Sequence, residues 1–307
     1  MLNVFATLGV LLACGVLYRM IPGVPSPQTV RSVIGSIVLN VFIPLLAFEV
    51  LATERIMGDV WTVPVVSTAT TLIGFVLAIA VYGYMLRTRL SRPTIGAMIL
   101  ATTWCNAMYL GLPITLAVVG DPGDHVPILF DYAGMTPLLF TLGTAVCVAY
   151  GTTDEQPSIR QGLLQILRLP PFIATIAGIA VNASGLQLPL WFIAAAETAG
   201  KVVAPLMLFS IGLTLRWPSI SRTPLLLPAA LIRTVLVPVL VFPLATLLHA
   251  NDDILRATML EAAMPSMMLP LVFAERYGLD VEALAEAILL STLIAIGTLP
   301  IVATWPL

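Results

Sequence analysis

Charged residues are scarce in this sequence and make up only 10% of its 307 residues, whereas an ordinary soluble domain has about 25%. A water-soluble protein of this size needs a charged surface, which this chain cannot build. Hydrophobic residues make up 59% of the chain, and its mean hydropathy is +1.02. These figures exclude most soluble folds and indicate an all-α integral membrane protein with several spanning helices.

Cysteine and histidine are also scarce. The three cysteines, Cys14, Cys105 and Cys147, lie in apolar stretches and predict neither a disulfide framework nor a metal site. They are most simply small core residues. The two histidines, His125 and His249, are too isolated in the chain to predict a metal site. We therefore predict that the protein holds no metal and no cofactor.

Several motifs of known chemistry are absent. The sequence contains no H-E-x-x-H, no G-x-S-x-G and no P-loop, so we predict neither an enzyme nor an ATP-driven pump. It has no Arg-rich voltage-sensor helix and no filter motif of the potassium-channel kind. The formal net charge of −2 and the lack of a basic tract argue against a nucleic-acid partner.

Ten apolar segments approach the roughly 20 residues that one bilayer-spanning helix needs. Their approximate bounds are 2–21, 30–51, 61–87, 93–119, 126–150, 170–184, 198–215, 223–249, 253–274 and 281–304. The first segment lacks the charged start and cleavage site of a signal peptide, so we expect it to be a retained helix. The segments leave little chain for loops.

Arginine and lysine are distributed unequally between alternate loops. The loops that follow odd-numbered helices hold 10 of the 14 cations. They are Arg19, Arg31, Arg87, Arg89, Arg92, Arg160, Arg168, Arg216, Arg222 and Arg276. Because cytoplasmic loops are enriched in these residues, we predict a multi-pass protein of a bacterial-type plasma (inner) membrane with both termini extracytoplasmic.

The ten helices divide into two sets of five, and an odd number in each set gives the two halves opposite topologies. We predict a first five-helix repeat over 1–150, a cytoplasmic connecting loop over 151–169 and a second, inverted repeat over 170–307. Helix breakers occur near the middle of the fourth and ninth helices. Interrupted helices at matching positions of two halves indicate a transporter binding site, although two independent proline kinks would leave the same pattern.

The fourth helix is predicted to open between Asn106 and Pro113. Pro113 removes a backbone donor, and Gly111 loosens the same turn. An opened helix leaves N–H groups at the start of its second half, and these favour an anion. The same argument applies from Pro265 to Pro270 in the ninth helix. If the two helices cross, two positive ends meet at one site, which suits a carboxylate.

Four polar side chains are candidates for this site. Asn106 can donate and accept hydrogen bonds, so it could hold the substrate or only cap the opened helix. Tyr109 could offer its hydroxyl group or fill the kink. Ser266 could contact the substrate or bond back to its own turn. Asn40, in the second helix, lies on the face that we expect to oppose the crossover.

Ionisable residues inside the membrane are also candidates. A carboxylate at the bilayer centre costs about 2.5–3.5 kcal/mol, so Glu261 must face protein or water. It could couple transport to protons, or it could be a structural carboxyl at the helix break. Arg233 could pair with Glu261, face the substrate or, as we expect if its helix starts near Leu226, snorkel to the cytoplasm. Asp131 is expected at the solvated outer end of the fifth helix.

Methionines cluster around the break in the ninth helix. They are Met259, Met264, Met267 and Met268. Methionine is adaptable and could line a binding site, but such a cluster more often reflects helix packing.

In four places the chain resembles the auxin efflux carrier family, in its short bacterial form. These places are Asn40-Val-Phe-Ile-Pro44 in the second helix, Asn106 with Leu110-Gly111-Leu112-Pro113 in the fourth, Pro205 to Gly212 in the seventh, and Met264-Pro265-Ser266 with Tyr277-Gly278-Leu279-Asp280 in the ninth and tenth. Their order and spacing cover nearly the whole chain.

The resemblance implies an architecture similar to that of the bile acid–sodium symporters. Helices 1, 2, 6 and 7 would form a scaffold domain with the dimer contact, and helices 3–5 and 8–10 a transport domain in which helices 4 and 9 cross. Asn106, Pro113 and Pro265 would lie at the crossover. Met108 departs from the pattern, because members often have Gly there, and the ninth helix has no Asn to match Asn106.

The predicted function is transport of a small organic anion, such as malonate, malate or an auxin-like acid, by elevator-type alternating access. A potential of 100 mV is worth about 2.3 kcal/mol per charge, so transport could be driven by potential alone or coupled to protons or sodium. One alternative is a sodium-coupled symporter of the bile-acid type, which needs several oxygen ligands at the crossover. Another is a membrane sensor on the same fold that transports nothing.

Overall fold

The computed structural model describes residues 2–53, 59–153, 164, 166–214, 222–248 and 251–305. In these residues the regular structure is helical, and the one β-type pairing is an isolated bridge between Cys105 and Ser266. The prediction of an all-α protein is confirmed for this part of the chain. Most of the predicted loop 151–169 lies outside the described residues. So do Arg55, Arg160, Arg216 and His249.

Ten helical regions occupy the positions of the ten predicted segments. Eight are uninterrupted: α1 (Leu2–Tyr18), α2 (Pro27–Thr53), α3 (Asp59–Ala78, continued by Ile79–Met85), α5 (Asp121–Tyr150), α6 (Pro170–Ser184), α7 (Leu190–Thr214), α8 (Thr223–Leu248) and α10 (Val281–Ala303). The other two are broken. They are α4, formed by α4a (Arg92–Thr103) and α4b (Ala107–Val118), and α9, formed by α9a (Asp252–Ala262) and α9b (Pro270–Tyr277).

Six of the described helices, namely α2, α3, α5, α7, α8 and α10, are long and apolar enough to cross a membrane. Helices α4 and α9 do not reach that length because each is interrupted, and α1 and α6 are shorter. These six helices identify the chain as an integral membrane protein. Ten spans and an inverted repeat remain predictions.

Four prolines inside the helices follow widened, π-helical turns. Such turns cover Val38–Phe42, Ala107–Gly111, Leu129–Met135 and Ile232–Leu236. A proline follows two residues after the end of each one, at Pro44, Pro113, Pro137 and Pro238. Proline cannot donate a backbone hydrogen bond and clashes with the preceding turn. A π-helical turn opens the helix locally, so each helix continues past its proline.

Asp280 caps the start of α10. Its Oδ1 accepts a hydrogen bond from the Ala283 N–H at 3.0 Å. Its second oxygen accepts from the Thr94 hydroxyl at 2.8 Å. Asp280 therefore also holds the start of α10 against the start of α4a.

The helices pack in two groups. Helix α1 packs on α7, and α2 packs on both α6 and α7. Gly15 and Gly212 let α1 and α7 approach so closely that a Cβ on either residue would overlap the backbone of the other helix. Helices α3, α4a, α5, α8, α9a and α10 pack mainly on one another. The predicted division into a moving transport domain and a fixed scaffold remains a prediction.

Candidate functional site

The breaks in α4 and α9 lie side by side. The Asn106 N–H donates to the Pro265 carbonyl at 2.8 Å, and the Met267 N–H donates to the Trp104 carbonyl at 2.8 Å. Trp104, Pro265 and the Cys105–Ser266 bridge are all buried. An unpaired backbone group is costly in such a place. The two unwound segments therefore satisfy part of each other's backbone.

The break in α4 lies slightly before the predicted position. The chain unwinds from Trp104 to Asn106 and is helical again from Ala107, so the expected opening between Asn106 and Pro113 is wrong. The π-helical turn before Pro113 accommodates that proline without unwinding the helix. In α9 the break spans the residues between α9a and α9b, including Pro265, and α9b begins at Pro270, in line with the prediction.

Asn106 caps the half-helix that follows it. Its side-chain oxygen accepts from the Tyr109 N–H at 3.2 Å. The side chain is only 4% exposed and lines a small cavity. Because the oxygen makes the cap, the amide nitrogen faces no hydrogen-bond partner in the described residues. Asn106 is thus a local cap that keeps a buried donor available.

Four backbone N–H groups at the half-helix starts are also unpaired among the described residues. They belong to Ala107 and Met108 before α4b gains its first internal hydrogen bond, and to Met268 and Leu269 just before α9b. Met108, Met268 and Leu269 all line the small cavity. The partial positive charge of two helix starts therefore borders one cavity.

This inner cavity has a volume of about 80 Å³ and lies beside the crossover. Its polar lining combines an amide, two phenols, a carboxyl and a hydroxyl. These groups belong to Asn106, Tyr109, Tyr132, Asp131 and Thr136. The rest of the wall is apolar and includes leucine, methionine and phenylalanine side chains. The exposed wall of the cavity is mostly apolar, and only a small part of it is polar.

Asp131 is part of this lining, and its predicted solvated position at a helix end is wrong. Its side chain is only 2% exposed, and its Oδ1 accepts from the Thr136 hydroxyl at 2.7 Å. A 3₁₀ turn covers Asp121–Gly123, and the α-helical part of α5 begins at His125, close to the predicted 126. Asp131 lies about two turns inside it and is buried because α3 and α6 pack on this part of α5. It forms no ion pair with any of the described residues.

A larger cavity of about 510 Å³ adjoins the inner one and shares Leu39, Tyr109, Met268 and Leu269 with it. Tyr109 lines both cavities, and whether it offers its hydroxyl to a substrate or fills the kink stays a prediction. Asn40 is exposed in the larger cavity, and its amide donates to the Ser36 carbonyl at 2.8 Å.

Arginines line the larger cavity and a third cavity beside it. Arg31 lines the larger cavity, as does Glu275. A third cavity, of about 360 Å³, shares Leu269 with both of the others and is lined by Arg168 and Arg276. These three arginines belong to loops with odd numbers in the predicted topology.

Glu261 lies behind the crossover. It is fully buried, and its Oε1 accepts from the Thr115 hydroxyl at 2.7 Å. The other carboxyl oxygen has no hydrogen-bond partner among the described residues. The carboxylate packs so closely on Gly111 that a Cβ there would overlap it. Gly111 therefore permits a close approach of α9a and α4b, and Glu261 lines neither the inner nor the larger cavity.

Ser266 and the two crossover prolines are buried in the core of the site. The Ser266 N–H donates to the Ser291 hydroxyl at 3.0 Å, while its own hydroxyl has no partner among the described residues. Pro265 contributes the carbonyl that accepts from Asn106. Pro113, inside α4b, is also buried. None of these three residues lines the inner cavity.

Arg233 is fully buried, so the expectation that it snorkels to the cytoplasm is wrong. Its guanidinium donates to the Thr103 carbonyl at 3.2 Å and to the Ala262 carbonyl. These are the last residues of α4a and α9a. Helix α8 begins at Thr223, so Arg233 lies about three turns inside it. Arg233 and Glu261 form no ion pair with each other.

The methionine cluster divides between the two roles that the sequence left open. Met267 and Met268 line the inner cavity. Met259 and Met264 are buried in the hydrophobic core. Cavity lining and helix packing are thus both present, on different members of the cluster.

A family described as "Membrane transport protein" has a model that matches residues 10–153 and 155–303 of the chain. A protein named "Uncharacterized transporter" from Methanothermobacter thermautotrophicus is 27% identical over 275 residues, which cover 88% of this chain and 87% of that protein. A protein named "Putative malonate transporter" from Rhizobium meliloti is 27% identical over 76% of this chain and 73% of its own length. An uncharacterized transporter from Methanocaldococcus jannaschii is 25% identical over 71% and 69%.

Proposed function

The chain belongs to the membrane transport protein family, that of the auxin efflux carriers, and from this premise we propose that it is a secondary transporter of small organic anions. The substrate would bind in the inner cavity beside the crossover of α4 and α9. The observation that carries this proposal is the set of donors around that cavity that have no partner among the described residues. It comprises the Asn106 amide and the N–H groups of Met108, Met268 and Leu269.

A carboxylate is the substrate group that these donors fit best. It offers two acceptor oxygens with a negative charge, and hydrogen bonds to charged groups are stronger than those between neutral groups. Two helix starts add partial positive charge on the same cavity. Apolar walls exclude water, which strengthens each of these interactions. The predicted roles of Asn106 and of the half-helix starts are retained in this proposal.

Small dicarboxylates such as malonate and malate are the substrates to test first. Met108 lines the inner cavity and reduces its room, which favours a compact acid over an indole carboxylate. The Rhizobium relative, whose name refers to malonate, gives the same choice of first substrate. We therefore rank malonate before malate and both before an auxin-like acid.

The arginines around the outer cavities would collect anions. In the larger cavity the charge of Arg31 is offset by that of Glu275. The third cavity is lined by Arg168 and Arg276 with no carboxylate among its described lining residues, and a cleft lined by one sign of charge raises the local concentration of the opposite ion. In the predicted topology the loops of all three arginines are cytoplasmic. We infer an inward-open conformation, which an elevator movement of the transport domain would exchange for an outward-open one. We further propose that the protein lies in a bacterial-type inner membrane and forms a homodimer through the scaffold.

Asp131 would couple anion binding to a proton. An ionised carboxyl about 4 Å from a substrate carboxylate would oppose it by about 4 kcal/mol at an effective dielectric constant of 20. A protonated carboxyl would donate a hydrogen bond instead. Tyr109 and Tyr132 line the cavity beside it and are the other titratable groups there. Glu261 remains the alternative proton-coupling residue that the sequence suggested, acting through the α9a–α4b contact.

A sodium-coupled symporter is the second candidate. It would need several oxygen ligands at the crossover. The hydroxyls of Thr102 and Thr103 donate to the Met98 and Ile99 carbonyls at 2.7 Å, which leaves their oxygens able to bind a cation, but neither residue lines a described cavity. This separation from the cavities disfavours a sodium site at these two residues. A sensor that binds anions without moving them is the third candidate.

Uptake by proteoliposomes tests the proposal. Purified protein would be reconstituted, and radiolabelled malonate, malate, lactate and indole-3-acetate would be offered with an imposed potential, a pH gradient or a sodium gradient. We expect saturable malonate uptake that empty liposomes lack. Folded protein that binds malonate without moving it would identify a sensor, and strict sodium dependence would identify a symporter of the bile-acid type.

A further inference from the structure

We propose that Arg233 is a tethered cation at the crossover, which takes the place of a coupling metal ion and lets the transporter cycle without sodium. The part that concerns sodium rests on the proposed transport function. The part that concerns charge at the crossover stands on the contacts of Arg233 alone.

The first observation is the pair of carbonyls that Arg233 contacts. Thr103 and Ala262 are the C-terminal residues of α4a and α9a, and both carbonyls accept from the one guanidinium. A helix C-terminus carries about half a negative elementary charge. Two such ends therefore bring about one negative charge to the crossover, and one guanidinium balances it.

The second observation is that this position is fully enclosed. The Arg233 side chain has no exposed surface and lines none of the described cavities. A charged group in a membrane interior is costly and is kept only where it has partners or a function. No described carboxylate forms an ion pair with it. The charge that holds Arg233 in place is thus that of the two helix ends.

The third observation concerns the atoms that a metal ion would need. In transporters with broken helices, the carbonyls at half-helix C-termini commonly coordinate the coupling sodium ion. Here Arg233 occupies those carbonyls on both helices. Arginine stays protonated in proteins, and its planar fork can serve two acceptors at once. A permanent cation therefore occupies the place where a transported cation would have to bind and leave.

The Arg233 side chain also connects three helices. It projects from the π-helical turn Ile232–Leu236 of α8 and contacts α4a and α9a. These contacts tie α8 to both broken helices. The cation would then travel with the crossover during the transport cycle and would never be released.

Thermal unfolding of the full-length protein in detergent tests the tethered cation. Arg233→Ala leaves a space of guanidinium size at two negative helix ends. We expect its midpoint to fall by several degrees, and millimolar guanidinium chloride to restore part of the loss where equal concentrations of sodium or choline chloride restore less. Lys201→Ala is the control, because Lys201 is exposed and its ion pair within the described part of the chain is with Glu197 on the same helix. Its midpoint should not respond selectively to guanidinium.

Arg233→Lys keeps the experiment decisive if the alanine variant does not fold. Lysine retains the charge but lacks the fork, so its midpoint should lie below that of the wild type and above that of Arg233→Met. An alanine variant that melts like the wild type, or a loss that all three salts repair equally, would overturn the role of Arg233. Equal midpoints for the lysine and methionine variants would do the same.

The claim that the transporter cycles without sodium is tested by malonate uptake. Uptake by the wild type is measured with sodium, potassium or choline as the only monovalent cation. We expect rates within twofold of each other. A tenfold dependence on sodium would overturn the proposal that Arg233 replaces the ion. Absence of uptake under all conditions would count against the transport function, while the melting curves, which need no substrate, would still decide whether Arg233 balances the helix ends.

Discussion

The backbone N–H of Asn106 donates to the carbonyl of Pro265 across 2.8 Å, and this hydrogen bond joins the breaks of two helices from opposite halves of the chain. It leaves the Asn106 side chain to cap α4b with its oxygen and to border the inner cavity. One residue therefore fixes the crossover and supplies a donor beside it.

Replacing Asn106 with alanine should weaken malonate uptake. The change removes a buried donor to a charged group, which is worth about 1.5–3 kcal/mol, so the apparent affinity should fall by about tenfold to a hundredfold. The measurement is the concentration dependence of uptake in proteoliposomes. Asn182→Ala is the matched control, since Asn182 donates to the Leu51 carbonyl on α2 and lines none of the described cavities. If both variants keep wild-type affinity, the substrate does not contact Asn106.

The close approach of Gly111 and Glu261 predicts a coupled effect on stability. A Cβ at position 111 would overlap the Glu261 carboxylate, and overpacking of a core typically costs about 1–3 kcal/mol. We expect Gly111→Ala to lower the thermal midpoint in detergent, and to lower it much less when Glu261 is also alanine. Gly297→Ala serves as the control because no other atom lies within 4 Å of a Cβ there.

A double-mutant cycle measures this coupling directly. The interaction term between the two substitutions should be of the same size as the loss caused by Gly111→Ala alone. Additive losses would mean that the two helices do not approach each other at this point. The same cycle repeated on malonate uptake would reveal whether the contact between α9a and α4b also matters for transport.

The size of residue 108 should control substrate size. Met108 is 3% exposed and lines the inner cavity, so Met108→Gly enlarges it. We expect indole-3-acetate uptake to rise relative to malonate uptake by several-fold, because the longer acid gains room while the donors for its carboxylate stay. Competition between the two acids in proteoliposomes measures the ratio. Met259→Ala, a change in the core outside the cavity, should leave the ratio unchanged.

The helices and both breaks could be predicted from the sequence because they depend on local properties. Hydropathy marks the apolar segments, and proline and glycine mark the weak points in a helix. The break in α4 nevertheless precedes its expected position, because a π-helical turn accommodates Pro113. Whether a proline breaks or only widens a helix depends on its neighbours in space, which the sequence does not state.

The burial of Asp131 and the hydrogen-bond partners of Arg233 could not be predicted. Asp131 looked interfacial because it lies about two turns from the start of α5, which begins at His125, close to the predicted 126. It is buried because α3 and α6 pack on this part of α5, and the sequence alone does not show that packing. Arg233 finds its partners only once α4a and α9a meet beside α8. For Arg233 the sequence did contain a signal: a cation is favoured at the C-terminal ends of two broken helices, and the eighth helix has one arginine near its middle.

Asp131 should set the pH dependence of transport. Its carboxyl lines the inner cavity and has the Thr136 hydroxyl as its hydrogen-bond partner. The ionised form would repel the substrate, so wild-type malonate uptake should fall as the pH rises. Asp131→Asn imitates the neutral carboxyl and should keep its uptake at high pH. The ratio of variant to wild-type rate at each pH is the quantity to measure, because titration of malonate itself affects both proteins equally.

Glu261→Gln distinguishes the two carboxyls in the same experiment. Glu261 bonds to Thr115 and lines neither the inner nor the larger cavity, so a glutamine there should preserve the wild-type pH profile if Asp131 carries the proton. A flat profile in Glu261→Gln combined with a wild-type profile in Asp131→Asn would assign the coupling to Glu261. Proton binding would then act through the contact between α9a and α4b, and the inner cavity would bind the anion without a proton of its own.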